Sequence, residues 1–265
     1  MAELVVKPKI DLAFKKIFSE NENALKSLVS AALDIPVSSM KDLQIGNTEV
    51  LPDDLDNKFC RLDLKITVDG RLIDIEIQLN NRGSFQARAL YYWSVLFSQS
   101  LKSGENYDLL PETVVISIID FNLFGCSGYH SHFVIKENTR GDLLTDKLSL
   151  HFFELKKLPE NINGEKQIEL WLKLISAETE EEIHRLEKIK SDDIKTALDE
   201  VKRLNADKNF RDLIERRYIA MVEEKSALSF AKREGKNEII EAMRANGISE
   251  EEINKIIKFS ENKIR

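Results

Sequence analysis

The sequence predicts an α+β or α/β protein: a mixed β-sheet core flanked by helices, followed by an all-helical C-terminal region. Two alternating apolar and polar runs, joined by Asp-Gly at positions 69 and 70, predict a β-hairpin. The β-branched run at 113–119 is typical of a strand buried on both faces of a mixed sheet. Beyond Pro159 there is no further proline, and apolar residues recur at helical spacing. We therefore expect one domain at 1–158 and a helical region at 159–265.

The composition limits the classes of function. Of the 265 residues, 42% are hydrophobic, enough for a sizeable core, and the formal net charge is -7. Such an acidic chain is not expected to coat nucleic acid, so contact with DNA requires a local basic patch. Two cysteines and four histidines give neither a disulfide framework nor zinc-type spacing. With no signal-peptide core and no apolar run of ~18 residues, we expect a cytoplasmic protein without a membrane partner.

Two short helices are predicted ahead of the sheet. The first starts after Pro8 with apolar residues at helical spacing, and the second covers 24–33. Asp11 and Lys15 lie four residues apart on the first helix. Opposite charges at this spacing stabilise a helix without any further role.

The two-residue turn fixes the register of the hairpin. Val68 then faces Arg71, and Asp63 faces Glu76 directly across the ladder. Because side chains alternate between the faces of a strand, one face is apolar and the other is polar. The apolar face carries Leu62, Leu64 and Ile66 with Ile73, Ile75 and Ile77, and the polar face carries Arg61, Asp63 and Lys65 with Asp74, Glu76 and Gln78.

The facing carboxylates have two interpretations. Like charges opposite each other in a sheet cost ~0.2 to 1 kcal/mol when solvated and more when desolvated. A divalent cation between Asp63 and Glu76 would reverse that sign, and the backbone carbonyl of Ile77 could add a third hard oxygen ligand for Mg²⁺ or Mn²⁺. In the alternative, the hairpin is an ordinary amphipathic one whose polar face lies in water, with Lys65 paired to Asp74.

The segments around the hairpin are predicted to complete the site. A first strand is expected at 45–50, where Glu49 is a further candidate carboxylate. A helix at 85–101 has an apolar stripe that would pack across the sheet beside the acids. Arg88 on this helix would face the site or a phosphate, although a plain surface contact explains it equally well.

Two more strands are expected at 132–136 and 148–155, extending the sheet. The histidines of this segment, His130, His132 and His151, have no partner at metal-ligand spacing along the chain. We therefore expect them to be surface or packing residues. In the helical region, Gly247 followed by Ser249 and Glu252 predicts a helix end and a capping box.

Several motifs in one order resemble a known family. They are Asp63 with Glu76-Ile77-Gln78, the segment DLAFKKIF at 11–18, Arg88 followed by YYWS at 91–94, and GENYDLLP at 104–111 leading into the strand at 114–118. This pattern resembles the Rpn family of recombination-promoting nucleases, a transposase-like family of the PD-(D/E)xK nuclease superfamily. The resemblance covers roughly the first 155 residues.

The resemblance implies a restriction-endonuclease-like fold and a metal-dependent DNA endonuclease. Asp63, Glu76 and the Ile77 carbonyl would hold Mg²⁺ or Mn²⁺, which activates water for attack on a phosphodiester. Gln78 stands where the superfamily's commonest motif has lysine, so a neutral amide replaces a cation. We expect slow cleavage or another cation in its place: Lys65 first, Lys15 second. The residues expected to contact DNA are Asp11, Lys15, Arg82, Arg88 and Tyr91.

Three interpretations remain open on the sequence alone. The first is a metal-dependent DNA endonuclease that promotes recombination. The second is a nuclease-fold protein with little or no turnover that acts by binding DNA or a partner protein. The third places the function in the helical C-terminal half, as a module for homo-oligomerisation or docking.

Overall fold

The computed structural model describes residues 3–46, 49–50, 60–61, 63–81, 83–162, 166–189 and 191–263. The chain forms two compact units, Met1–Arg211 and Asp212–Arg265. The helices are α1 Asp11–Ser19, α2 Glu22–Leu33, α3 Phe85–Gln99, α4 Gln167–Ser176, α5 Glu180–Glu187, α6 Asp192–Ala206, α7 Lys208–Ala245 and α8 Glu250–Lys263. The strands are β1 Gln44–Ile45, β2 Glu49–Val50, β3 Cys60–Arg61, β4 Leu64–Val68, β5 Arg71–Gln78, β6 Thr113–Ile119, β7 His130–Phe133 and β8 Leu148–Glu154.

The first unit is built on a mixed six-stranded sheet in the order β1-β4-β5-β6-β8-β7. β1, β4 and β5 are antiparallel, β5, β6 and β8 run parallel, and β7 returns antiparallel to β8. All seven residues of β6 are buried, as its β-branched sequence predicts. The predicted mixed sheet with flanking helices and a helical C-terminal region is thus confirmed.

The hairpin between β4 and β5 has the predicted turn and register. Asp69 and Gly70 have φ values of 48° and 76°, the positive pair that a type I′ turn requires. Val68 pairs with Arg71, and the ladder runs to the pair of Leu64 with Ile75. Asp63 is the next residue beyond this last pair. The turn therefore sets the register of the acidic residues.

The strand predicted at 45–50 is wrong as a single element. β1 pairs with β4 in the main sheet, whereas β2 pairs with β3 in a separate two-stranded sheet. Residues 47 and 48, the side chain of Glu49, and Leu62 lie outside the described residues.

Both faces of the hairpin are covered. α3 packs on one face, where Phe85 and Ala89 join a cluster with Val115 and Ile119 of β6. The register of β5 with β6 places Asp74 beside Val115 and Glu76 beside Ser117, so the acids share the face that α3 covers. The opposite face carries the isoleucines of β5, which are fully or almost fully buried. The acids of β5 are therefore buried, whereas Lys65 and Thr67 on the same face of β4 are half-buried.

The remaining helices of the first unit form a layer in which α1, α2, α4 and α6 contact one another. Trp171 of α4 is fully buried, and its indole N–H donates to Ser27 Oγ of α2 at 3.1 Å. The side chain of Asn205 in α6 bonds to both the N–H and the C=O of Val6, at 3.0 and 2.9 Å. These contacts join part of the helical region to the first 158 residues, and the boundary at 158 stays a prediction.

The second unit contains the C-terminal part of α7 and α8. Gly247 has a φ of 80° between them, and Ser249 and Glu252 form the predicted capping box, in which Ser249 Oγ donates to Glu252 Oε2 at 2.9 Å. Among the described residues, we find no helix with the length and apolar character needed to cross a bilayer.

Candidate active site

Asp63 and Glu76 meet at the open end of the hairpin and are held by each other's backbone. The N–H of Asp63 donates to Glu76 Oε1 at 2.9 Å, and the N–H of Ile77 donates to Asp63 Oδ2 at 2.9 Å. The side chain of Asp63 is 15% exposed, and Glu76 is 8% exposed. The two acids are therefore adjacent just beyond the last ladder pair, Leu64 with Ile75, and each carboxylate accepts a hydrogen bond from a backbone N–H. Their role as metal ligands stays a prediction.

A third acid, which sequence reasoning assigned only to an ion pair, lies beside them. Asp74 is fully buried, and neither of its oxygens has a hydrogen-bond partner among the described residues, apart from a proton it can share with the carboxyl of Glu76. Its alternation with Glu76 was visible in the sequence. Its complete burial was not visible, because that depends on how closely α3 packs over the strand. We call Asp63, Asp74 and Glu76 the acidic cluster.

Burial raises the pKa of all three acids of the cluster. For Asp74 the pKa lies well above its usual value because of desolvation, and the charge of Asp63 raises it further. The pKa of Glu76 is also well above its usual value, through desolvation and the charges of Asp74 and Asp63. For Asp63, desolvation outweighs the lowering effect of the Ile77 N–H and of Lys15. The three acids of the cluster therefore bind protons more readily than free acids do.

Lys15 of α1 is the cation nearest to this cluster in the described part of the chain. Its Nζ lies 3.0 Å from Asp63 Oδ1 and 2.9 Å from Asp11 Oδ1. Burial lowers the pKa of Lys15, but the contacts with Asp11 and Asp63 outweigh this and raise it, so the ammonium stays charged. Lys15 thus bridges Asp11 and Asp63 beside the acidic cluster, and the roles predicted for Asp11 and Lys15 in DNA contact or catalysis stay predictions.

Gln78 is engaged by its neighbours. Its Oε1 accepts a hydrogen bond from Arg88 Nη2 of α3, and its Nε2 donates to the carbonyl of Asn80 at 3.0 Å. Arg88 also lies over the ring of Phe85, 4.8 Å from its centroid, and its charge lowers the pKa of Glu76. Arg88 therefore faces the site, and it fixes the orientation of the Gln78 amide.

The other candidates are less closely connected. Lys65 pairs in register with Asp74, and its charge lowers the pKa of Asp74, but no ion pair within 4 Å joins the two in the described residues. Tyr91 is half-buried beside Tyr92 on α3. Arg82 lies outside the described residues.

The donors present fit a hard divalent cation. Ile77 donates its N–H to Asp63, and because the N–H and C=O of one strand residue point to the same side, its carbonyl lies on the side of Asp63 as well. Two carboxylates and one carbonyl are ligands that Mg²⁺ and Mn²⁺ prefer, and the ammonium of Lys15 shows that this pocket of negative charge accommodates a cation. Among the described residues, no group of three or more acidic, histidine or cysteine side chains has metal-binding spacing. A site here thus depends on the backbone carbonyl.

The three histidines converge on the opposite face of the sheet. His132 pairs with His151 across β7 and β8, and their rings stack at 4.0 Å. Hydrogen bonds join His130 Nε2 to His151 Nδ1 at 3.0 Å, His151 Nε2 to Ser149 Oγ at 2.9 Å, and His132 Nε2 to Ser149 Oγ at 2.8 Å. We call these four residues the histidine cluster. They form a packed chain of hydrogen bonds, consistent with the packing role that the sequence suggested.

A mixed sheet with two carboxylates at the open end of a central hairpin defines a class of protein: a nuclease-like fold of the PD-(D/E)xK type. Comparison with protein-family models gives a match to the PD-(D/E)XK nuclease family transposase over residues 8–231. The chain belongs to this family. The match extends past the roughly 155 residues that carry the recognisable motifs, so α4, α5, α6 and part of α7 belong to the family region. Neither the curated proteins nor the solved structures gave a match.

Proposed function

We propose that this protein is a DNA endonuclease that hydrolyses phosphodiester bonds with Mg²⁺ or Mn²⁺ and promotes DNA recombination. The observation that carries the proposal is the pair of crossed hydrogen bonds that hold Asp63 and Glu76 together at the end of the hairpin. The nuclease family supports the reaction class, and nucleases of this family generally use divalent metal ions. A DNA substrate agrees with the cytoplasmic location that the composition predicts.

Asp63, Glu76 and the carbonyl of Ile77 would hold the metal. When bound, a divalent ion lowers the pKa of a coordinated water and neutralises charge on the phosphate. The protein's own contribution is to keep the two carboxylates in place, because each accepts a backbone N–H that fixes its rotamer. Beyond the effect of burial, the charges of Asp74 and Asp63 raise the pKa of Glu76, and a bound cation would offset this repulsion between the acids.

DNA would approach from the side of α1 and α3, where Lys15 and Arg88 face the acids. These two side chains provide local positive charge for contact with DNA in a chain whose net charge is -7. Phosphate contacts of this kind position DNA without reading its sequence. Lys65, Tyr91 and Asp11 remain candidate contributors to catalysis or substrate binding.

The test is nicking of supercoiled plasmid by the full chain in Mg²⁺ or Mn²⁺, with Asp63→Asn and Glu76→Gln prepared alongside. Both substitutions keep the oxygen that accepts the backbone hydrogen bond, so the hairpin should fold while its charge is lost. We expect the nicking rate to fall roughly 100-fold or more in each variant, the scale expected when charge stabilisation is removed from an active site.

Asp108→Asn is the matched control, because it makes the same change at an exposed acid in the turn Tyr107–Leu109. Its rate should equal that of the wild type. Equal nicking by wild type, Asp63→Asn and Glu76→Gln would identify a contaminant and overturn the endonuclease proposal.

One observation favours a second candidate function, a nuclease-fold protein with weak or no turnover that binds DNA or a partner. Gln78 supplies no positive charge, and both ends of its amide are occupied. In this version the helical C-terminal half serves as an oligomerisation module. Plasmid binding without cleavage would support it, and a monomeric mass for the full chain in light scattering would contradict the oligomerisation part.

A further inference from the structure

The family motif lacks its cation in this chain. Gln78 occupies the third motif position. Both ends of its amide are engaged, since Oε1 accepts a hydrogen bond from Arg88 and Nε2 donates one to the carbonyl of Asn80. Arg88 in turn is held between Gln78 and the ring of Phe85. Hydrolysis of a phosphodiester still builds negative charge on the phosphate oxygens and needs positive charge nearby.

Lys15 is placed where that charge is needed. Its ammonium lies 3.0 Å from Asp63 Oδ1, and Asp11 holds it from the other side at 2.9 Å. The helix beneath it is rigid, because Phe14, Ile17 and Phe18 are buried in the core. Lys15 therefore contacts the acids from a well-packed helix, α1, which is far from the hairpin in the sequence.

We propose that Lys15 of α1 supplies the positive charge that the Glu-x-Gln motif lacks, with Asp11 as the residue that positions it. The proposal rests on the endonuclease function proposed above. In the reaction, the oxygen of water bonds to phosphorus as the bond from phosphorus to the leaving sugar oxygen breaks. One proton of the water goes to solvent, and the leaving oxygen takes up a proton. The ammonium keeps its protons and pairs with a non-bridging phosphate oxygen.

A purely structural role for Lys15 makes a different prediction. Lysine and aspartate four residues apart stabilise a helix by only about 0.2 to 0.5 kcal/mol, and such pairs occur elsewhere in this chain. Lys26 of α2 pairs with Glu22 at the same spacing, 2.7 Å apart, and its side chain is 17% exposed against 24% for Lys15. Lys26 is therefore a matched control for the loss of a helical ion pair.

The experiment compares Lys15→Met, Lys26→Met and the double variant Lys15→Met with Gln78→Lys, by plasmid nicking and by calorimetric titration with Mn²⁺. We expect Lys15→Met to nick roughly 100-fold more slowly than wild type. Its Mn²⁺ affinity should be equal or higher, because a competing cation has left Asp63. Lys26→Met should keep both properties. The double variant, which returns a lysine to the motif position, should nick at least about tenfold faster than Lys15→Met.

Three results would overturn the proposal. The first is a nicking rate of Lys15→Met within about threefold of wild type, which is far smaller than the effect of removing a charge from an active site. The second is a slower nicking rate of Lys15→Met that is accompanied by an equal loss of Mn²⁺ affinity. The third is a double variant that nicks as slowly as Lys15→Met. If wild type nicks faster than Asp63→Asn in the same experiments, these results leave the endonuclease function standing. If wild type nicks no faster than Asp63→Asn, the endonuclease proposal fails and this one fails with it.

Discussion

The acidic cluster and the histidine cluster lie on opposite faces of one sheet and respond to burial in opposite ways. Burial raises the pKa of Asp74 and lowers the pKa of His151, so each loses charge. They differ in how their polar atoms are satisfied. Each ring nitrogen of His151 meets a hydrogen-bond partner, whereas among the described residues Asp74 has only the carboxyl of Glu76, with which it can share a proton.

This difference in hydrogen bonding distinguishes the histidine cluster, which packs the sheet, from the acidic cluster, which is a candidate cation site. A buried polar group with its hydrogen bonds made adds rigidity, while one left unpaired costs about 1 to 3 kcal/mol. In the histidine cluster, the buried ring of His151 has both of its nitrogens paired. The acidic cluster gains from any cation that enters, because its charges are then compensated. The stability of the two clusters should therefore respond differently to pH, to metal and to substitution.

The largest expected effect is the loss of stability on acidification through His151. Burial beside His132 and His130 lowers its pKa from 6.5 to about 3. A lowered pKa means that the unfolded chain binds the proton first, so stability is present above about 6.5 and is lost as the pH falls toward 3, by roughly 3 to 5 kcal/mol in all. Denaturant unfolding between pH 7.5 and 4.5 measures the part of this loss that falls between about pH 6.5 and 4.5, about 1.4 kcal/mol per pH unit.

His151→Gln is the comparison variant, since its amide still offers a donor and an acceptor to Ser149. Between pH 7.5 and 4.5, the free energy of unfolding of the variant should fall less than that of the wild type. Parallel curves for the two proteins would show that His151 is not the group responsible.

Bound Mn²⁺ should stabilise the protein through the acidic cluster and not through the histidine cluster. At free Mn²⁺ about 100 times its dissociation constant, the free energy of unfolding of the unit that contains the site should rise by about 2.7 kcal/mol. Asp63→Asn should abolish this gain and His151→Gln should leave it intact. Thermal unfolding with and without Mn²⁺ gives the result, and equal stabilisation of Asp63→Asn would place the metal elsewhere.

Replacing the unpaired acid should stabilise the sheet. Asp74→Val removes a desolvated carboxyl and places a β-branched side chain beside Val115, so we expect a gain of about 1 to 2 kcal/mol at pH 8. Because the pKa of Asp74 is raised in the folded state, the contribution of Asp74 to stability becomes more favourable as the pH falls. The advantage of Asp74→Val should therefore shrink from pH 8 to pH 5.

Ile73→Val is the control on the opposite face of the same strand. It removes one buried methylene and should cost about 0.5 to 1.5 kcal/mol at both pH values. A destabilised Asp74→Val would mean that the buried acid makes a favourable interaction in the native state.

The sequence predicted those features of the site that depend on local structure. The turn at Asp69 and Gly70 sets the ladder, and the alternation of β5 then places Glu76 opposite Asp63; neither requires knowledge of the rest of the chain. The bridge from Lys15 to Asp63 joins residues 48 positions apart in different elements. It depends on how α1 packs, which no local pattern encodes, so the preferred candidate cation was Lys65.

The histidine cluster shows the same limit. A search for metal ligands along the chain finds no spacing, because the residues meet only through the pairing of β7 with β8. The register of that pair depends on how the connecting segment 134–147 closes. Likewise, the polar face of β5 looked solvated in the sequence because the cover comes from α3, whose Phe85 and Ala89 pack over the same face.

The smallest expected effect tests whether the motif position itself still matters. Gln78→Lys adds a cation next to Glu76 but removes the acceptor for Arg88, so gain and loss partly cancel. We expect nicking at or up to severalfold above the wild-type rate, less than the effect of losing a charge from the site. Gln86→Lys, at an exposed position of α3, adds the same charge without touching the acids and controls for general attraction to DNA. If Gln78→Lys loses all activity while Gln86→Lys retains it, the amide of Gln78 has a role of its own. The hydrogen bond that orients Arg88 would then be part of the machinery rather than a remnant of a lost lysine.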